Sequence, residues 1–297
     1  MHWAKVVTED GRWKWIKPHQ GIRGRLVRDP PLHVYQTVLS FLTSKPPDGR
    51  RSKGLLLRGP LLLEADLIQR GTPFNLWRIV DACDLIRDAS ETVDDRLGWK
   101  LKRAVFSGSR GIHLTFASPD IPERPLRLSR NSIGVDLRNY IRERRQIARS
   151  MGYWRREWDW EVTSDIWRVA RVPWSVHGLS ALRVLPLEPP YEPKGIVRQL
   201  REASPFSFDR KLRVRMKRHV PPFTFIDEQT YGPYPKQWVT KLPLAVAIHL
   251  FWGDLAKPAE KGPTSPSGWF ESGWRILVGR NPGNGARKQE NPGGFRE

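Results

Sequence analysis

Hydrophobic positions in the first half of the chain fall into short runs broken by Pro and Gly. Between Pro31 and Leu42 the run LHVYQTVLSFL has apolar residues at mixed spacing, which leaves its element type open, and SKPPDGRRSKG then interrupts it. In GLLLRGPLLLEADLI an apolar run of strand length ends on Glu64 and Asp66, the pattern of a buried strand. From Phe74 to Leu97 the residues Leu76, Ile79, Val80, Cys83, Ile86 and Val93 keep close to a helical period, with Gly98 as the stop. RAVF predicts a strand, SGSRG a turn and IHLTF a second strand. Strand, helix and a glycine-bent strand pair predict an α+β fold rather than a doubly wound one.

The second half is more basic. Asn131 to Arg156 predicts a helix with seven arginines between Arg138 and Arg156, readable as a solvated face or as a polyanion track. EVTSDIWRVARVPWSVHGLSALRVLPL predicts strands joined by a tight turn and closed by EPPYEP. FSFDRKLRVRMKRHVPPFTFID then reads as a basic strand region, and YPKQWVTKLPLAVAIHLFWGDLA as a terminal amphipathic helix. From Lys257 to Glu297, 8 Gly and 5 Pro among 41 residues without a sustained period predict a disordered tail, which sets a core of residues 1–256. No internal repeat is evident.

Composition narrows the function classes. The 297 residues hold 51 Lys plus Arg against 31 Asp plus Glu, a formal charge of +20, which points to a polyanionic partner. With 39% hydrophobic residues, 14 Trp and 11 Phe, a sizeable core is expected rather than a disordered basic tail. Cys83 is the single cysteine, which excludes a disulfide framework and a cysteine-rich zinc or iron–sulfur site within the chain. No apolar run approaches a membrane span, so a cytoplasmic protein is expected.

Three stretches carry candidate chemistry. On a strand, Glu64 and Asp66 at i and i+2 share a face. Such a pair is commonly a strand end facing water, but with Asp159 in WRREWDWEVTSD three carboxylates are available to hold Mg²⁺ or Mn²⁺ for phosphoryl or nucleotidyl transfer. VFSGSRGIHLTF combines a glycine-framed turn with Ser107, Ser109, Arg110 and His113, donors suited to a phosphate chain, although bare glycine turns are common. RVPWSVHG adds Arg171, Ser175 and His177. A lone His near a strand end is usually structural, yet two clusters of the same donors after one acidic strand favour a shared triphosphate pocket.

GPLLLEADLI, FSGSRGIH and DWEVTSDIWRVARVPWSVHGLSAL, in that order, resemble the motifs of the catalytic (small) subunit of archaeal and eukaryotic DNA primase, in the archaeo-eukaryotic primase superfamily. Those motifs run approximately DLxFDxD, SGxRGxH and DxxVTxDxxRxxRxPxSxHxxxG, and the third is the longest match. The resemblance spans about residues 30 to 256. It implies a primase-type core making short RNA primers on single-stranded DNA from nucleoside triphosphates, in partnership with a primase large subunit. By the same resemblance Glu64, Asp66 and Asp159 are the catalytic, metal-binding carboxylates, and Ser107, Ser109, Arg110, His113, Arg171 and His177 surround the incoming nucleotide. Asp165 also falls in the motif, but its place beside the turn suits a structural hydrogen bond. Arg144, Arg145 and Arg149 are template-binding candidates, with RKLRVRMKRH as a second track.

The chain departs from the family in three ways. Glu64 stands where the family generally has Asp, and its extra methylene displaces the carboxylate oxygens. No structural zinc is expected, because one cysteine cannot supply the knuckle many relatives carry. Only 64 residues separate His113 from His177, so the helical insertion, at about residues 120–156, is expected to be reduced. A repair or plasmid-type primase-polymerase shares all three motifs, and a nucleic-acid-binding subunit that has lost turnover is the remaining expectation.

Overall fold

The computed structural model describes residues 4–7, 13–16, 33–37, 41–42, 54–57, 60–69, 71–117, 125–128, 142, 144–147, 158–159, 162–163 and 169–259. Helices and antiparallel sheets make an α+β fold. Its strands are β1 Ala4–Val7, β2 Trp13–Ile16, β3 His33–Thr37, β4 Phe41–Leu42, β5 Gly54–Leu57, β6 Leu61–Asp66, β7 Lys100–Phe106, β8 Gly111–Ala117, β9 Pro125–Leu128, β10 Val169–Arg171, β11 Leu185–Leu187, β12 Lys211–Met216, β13 Phe223–Thr224, β14 Thr230–Tyr231, β15 Val239–Pro243 and β16 Ala256–Pro258. Among the described residues its longer helices are α1 Leu76–Val80, α2 Ala82–Leu97, α3 Pro193–Leu200 and α4 Leu244–Trp252.

The sheet β11-β7-β8-β6 organises the site. Leu61, Leu62 and Leu63 are all buried, which is why β6 reads as a continuous apolar run rather than an alternation. The run ends where the strand reaches solvent, leaving Glu64 half-buried and Asp66 exposed. Antiparallel register sets Glu64 opposite His113 and Asp66 opposite Gly111. At Gly111 a Cβ would sit 1.7 Å from the Ala65 carbonyl oxygen, so only glycine lets β8 start this close to β6.

The expected helix at 74–97 is two helices that break at Asp81. Asn75 caps the first by accepting from the Trp77 N–H at 3.1 Å. Cys83, Ile86, Ala89 and Val93 form the buried stripe of α2, and Gly98 ends it in the left-handed region with φ 65°. Burial pushes the Cys83 thiol up to about 11, so it serves as a small core residue rather than a nucleophile. The stretch of open type upstream forms strands, β3 and β4.

Two other expectations change. Helix α4 is not amphipathic, because every residue from Leu244 to Leu250 is buried. It follows directly from β15 and packs against all three strands of the sheet β15-β12-β16, while its other side meets the loops of the site. The core also continues past residue 256, because Lys257 and Pro258 pair with Arg215 and Val214 of β12. Residues 260–297, which contain most of the expected tail, lie outside the described residues. So does most of the helix expected at 131–156, of which Arg142 and 144–147 are described and helical. Among the described residues no helix is long and apolar enough to cross a membrane.

Candidate active site

Glu64, Asp66 and Asp159 come together at the end of β6. The Asp159 N–H donates to the Glu64 carbonyl oxygen at 2.8 Å, and Ala65 pairs with Trp158, so the segment carrying Asp159 extends the sheet beside the acidic strand. Thr163 fastens the same segment by donating its hydroxyl to the Leu62 carbonyl at 3.0 Å. Burial raises the Asp66 carboxyl. Arg110 opposes that shift, Glu64 and Asp159 add to it, and His113 lowers it again. Two like charges near enough to disturb a third mark a carboxylate cluster, the donor chemistry of a hard divalent cation.

Each carboxylate on β6 also faces a base. An Arg110 nitrogen lies 2.8 Å from Asp66 Oδ2, and His113 Nε2 lies 3.6 Å from Glu64 Oε1. In these rotamers, no group of three or more His, Cys, Asp or Glu side chains among the described residues is gathered tightly enough to hold a metal ion.

Beside the carboxylates opens a cavity of about 350 Å³, lined by Ser109, Arg110, Arg171 and His177 from the two donor clusters and by Thr72 and Trp252 among others. The clusters meet because Gly108 is a glycine. Its φ is +84°, and a Cβ there would come within 3.0 Å of His177 Cβ. Ser180 then ties the two turns together by donating its hydroxyl to the Gly108 carbonyl.

His177 is oriented by its own turn. The Leu179 N–H donates to its Nδ1 at 3.1 Å, so the neutral ring carries its proton on Nε2. Arg171 is set by its pairing opposite Tyr35 on β3 and stacks its guanidinium 4.7 Å from the centre of that ring. Burial pushes its pKa down, while contact with Tyr35 and the charge of Glu64 oppose the shift. Four donors, two of them guanidinium ions, thus surround a volume next to three carboxylates.

The other sequence candidates are placed differently. Ser107 is buried and closes the turn: its hydroxyl accepts from the Gly111 N–H at 3.3 Å and its own N–H donates to the Gly111 carbonyl at 2.9 Å. His113 is buried against Glu64 and does not line the cavity. Of the arginines proposed for template binding, Arg145 is exposed, but Arg144 is only 5% exposed and its side chain faces the interior. Arg144 therefore belongs to the packing of that segment. Arg149 and Asp165 lie outside the described residues.

Sequence reasoning missed His249. It lines the cavity from α4 and is buried, its Nε2 accepting from the Phe74 N–H at 3.0 Å and its Nδ1 donating to the Ser180 carbonyl at 2.8 Å. Because the Phe74 amide can only donate, the ring is the neutral Nδ1–H tautomer. Burial pushes its pKa down to about 4 against a weaker opposing effect of the Ser180 carbonyl. Through Ser180 and Gly108 this ring joins α4 to both donor turns and to the loop after β6. Its only sequence signal was one polar residue in the run LAVAIHLF, where a buried imidazole must find two partners.

Comparison with known proteins was sparse in sequence and broader in structure. No family model and no curated protein matches the chain. Among solved structures, it is similar to the polymerase domain of Mycobacterium tuberculosis Ligase D in complex with DNA. That likeness has 16% identity and a TM-score of 0.39, and it covers 68% of this chain and 72% of the other.

Proposed function

We propose that the chain is a nucleotidyltransferase of the primase-polymerase type, and that it acts as a DNA primase catalytic subunit making short RNA primers on single-stranded DNA. The observation that carries this reading is the cavity in which Ser109, Arg110, Arg171 and His177 converge beside Glu64, Asp66 and Asp159. The order and spacing of the three sequence motifs support it further.

Arg110 and Arg171 would neutralise the triphosphate, and the Nε2–H of His177 would donate to a phosphate oxygen. Arg110 stands between the cavity and Asp66, so it can exchange its carboxylate partner for phosphate when nucleotide enters. Glu64, Asp66 and Asp159 would hold Mg²⁺ or Mn²⁺, which on binding would activate a 3′-hydroxyl and stabilise charge on the leaving pyrophosphate. The three carboxylates also keep competing anions out of the reaction end of the pocket. Single-stranded DNA, nucleoside triphosphates and a primase large subunit are the partners in this reading, and the cytoplasm is its setting.

The test is synthesis on single-stranded DNA with Mg²⁺ or Mn²⁺, with and without a pre-annealed primer and with and without a large subunit. Products begun without a primer support the primase reading. Extension of an existing end alone supports a repair or plasmid-type polymerase. Nucleotide binding with no product under any condition supports a subunit that has lost turnover.

A further inference from the structure

A basic surface lies on the three-stranded sheet behind α4, away from the candidate active site cavity. Strand β12 pairs with β15 and β16 on either side, setting Arg213 opposite Lys241 and Arg215 opposite Lys257. Directly opposed residues in an antiparallel pair share a face, as do residues two apart on one strand. Lys211, Arg213, Arg215, Lys241 and Lys257 therefore occupy one face, and Val214, Met216, Leu242 and Ala256 occupy the other, which is buried. Lys211, Arg213, Lys241 and Lys257 are exposed and Arg215 is half-buried. None of the three strands contains an acidic residue.

Like charges directly opposite one another in a sheet are destabilising, and here two such pairs share the central strand. Successive outward side chains stand ~7 Å apart along a strand and neighbouring strands ~5 Å apart, so adjacent cations lie within the ~8 Å screening length of physiological salt. Packing does not require their charge, because the apolar residues lie on the buried face. A polyanion laid across the sheet meets several cations on one face and gains counterion release.

We propose that this sheet face binds the phosphate backbone of a nucleic-acid strand. Beyond the five cations the face presents only Val239 and Pro243, so it has no aromatic side chain for base stacking and reads charge without sequence. Lys257 lies two residues beyond Leu255, which lines the cavity, so the strand on this face leads toward the candidate active site. The link to that site rests on the proposed function, whereas the binding face does not.

The experiment compares the full chain with a variant carrying Lys211→Gln, Arg213→Gln, Arg215→Gln, Lys241→Gln and Lys257→Gln. An equal-charge control carries Arg78→Gln, Arg96→Gln, Lys102→Gln, Lys194→Gln and Arg198→Gln, all exposed and off the face. Binding of oligo(dT) and oligo(dA) is titrated across salt concentrations without nucleotide or metal. Each single-strand phosphate that the protein neutralises adds ~0.7 to the log–log salt slope, so a face whose cations engage three phosphates accounts for ~2 of it. The face variant should show a drop of that size on both oligomers, with folding midpoint equal to or above wild type, and the control should keep the wild-type slope. An unchanged slope in the face variant overturns the proposal, as does an equal drop in the control, which would make the effect one of overall charge. Vesicles containing anionic lipid form a further arm, and loss of vesicle binding with oligonucleotide binding intact assigns the face to a membrane and overturns the proposal. A face variant that loses the slope in a chain incapable of nucleotidyl transfer leaves the face standing and removes the proposed function.

Discussion

His249 supplies a quantitative test of how the site is held together. The ring is buried and neutral, its pKa pushed down to about 4, whereas in the unfolded chain it returns to about 6.5. At a pH between those values the unfolded state carries a proton that the folded state refuses, so stability rises with pH. The contribution is fully present above about pH 6.5 and is lost as pH falls toward 4. At about 1.4 kcal/mol per pH unit the whole window is worth about 3 kcal/mol, a large part of the margin of an ordinary domain. Urea denaturation of wild type and His249→Gln at pH values from about 7 down to 4.5 reads this directly. Glutamine does not titrate, and its amide can offer both a donor and an acceptor. The carboxylates cancel in the difference between the two proteins, including Asp66, whose raised pKa gives a slope of opposite sign. Wild type should lose about 2 to 3 kcal/mol more than the variant over that range. Parallel curves would show that His249 reaches water or a counter-charge in the folded state, and would refute its role as a neutral bridge.

Three further outcomes follow from the site. If the proposed function holds, Asp66→Ala and Asp159→Ala should abolish nucleotidyl transfer while circular dichroism and oligonucleotide binding stay near wild type, and Glu64→Asp should keep or raise the rate; full synthesis by either alanine variant removes that residue from the proposed metal-binding set. Arg110→Ala and His177→Ala should each raise the nucleotide KM about 10- to 150-fold, the equivalent of about 1.5 to 3 kcal/mol for a charge-assisted bond to phosphate, with little effect on affinity for a plain nucleoside. Gly111→Ala should unfold the chain or lower its melting temperature sharply, because the added methyl would lie 1.7 Å from the Ala65 oxygen and force β6 and β8 apart; a normal melting curve would show that the two strands are not paired this closely.

The acidic strand, the α2 stripe with its Gly98 stop and the glycine turn were legible because local pattern dictates them. A continuous apolar run, a 3.6-residue period and paired glycines each need no distant partner to be read. The proximity of the two donor clusters was harder to read, since it depends on Gly108 admitting the His177 turn, an approach between residues 69 positions apart. Burial of Arg144 was invisible for a similar reason: a run of arginines reads as solvated until neighbouring elements cover one of them. Helix α4 misled because seven consecutive buried positions leave no polar face, and the sequence pattern alone does not show that elements pack on every side. His249 was hidden by the same burial, its two hydrogen-bond partners lying on loops far away along the chain.

The bond from Phe74 to His249 joins residues 175 positions apart, which fixes an order of events during synthesis. At about 5 to 20 residues per second, the loop after the acidic strand leaves the ribosome's catalytic centre about 10 to 35 s before the imidazole that will secure it has been made. Only in the last part of that interval, once residues 171–180 have also been made, can the acidic strand and both donor turns exist together, and even then the clasp between them cannot close. A nascent chain halted before α4 should therefore leave Phe74 and Ser180 without their shared partner even with Ser109, Arg110, Arg171 and His177 already made.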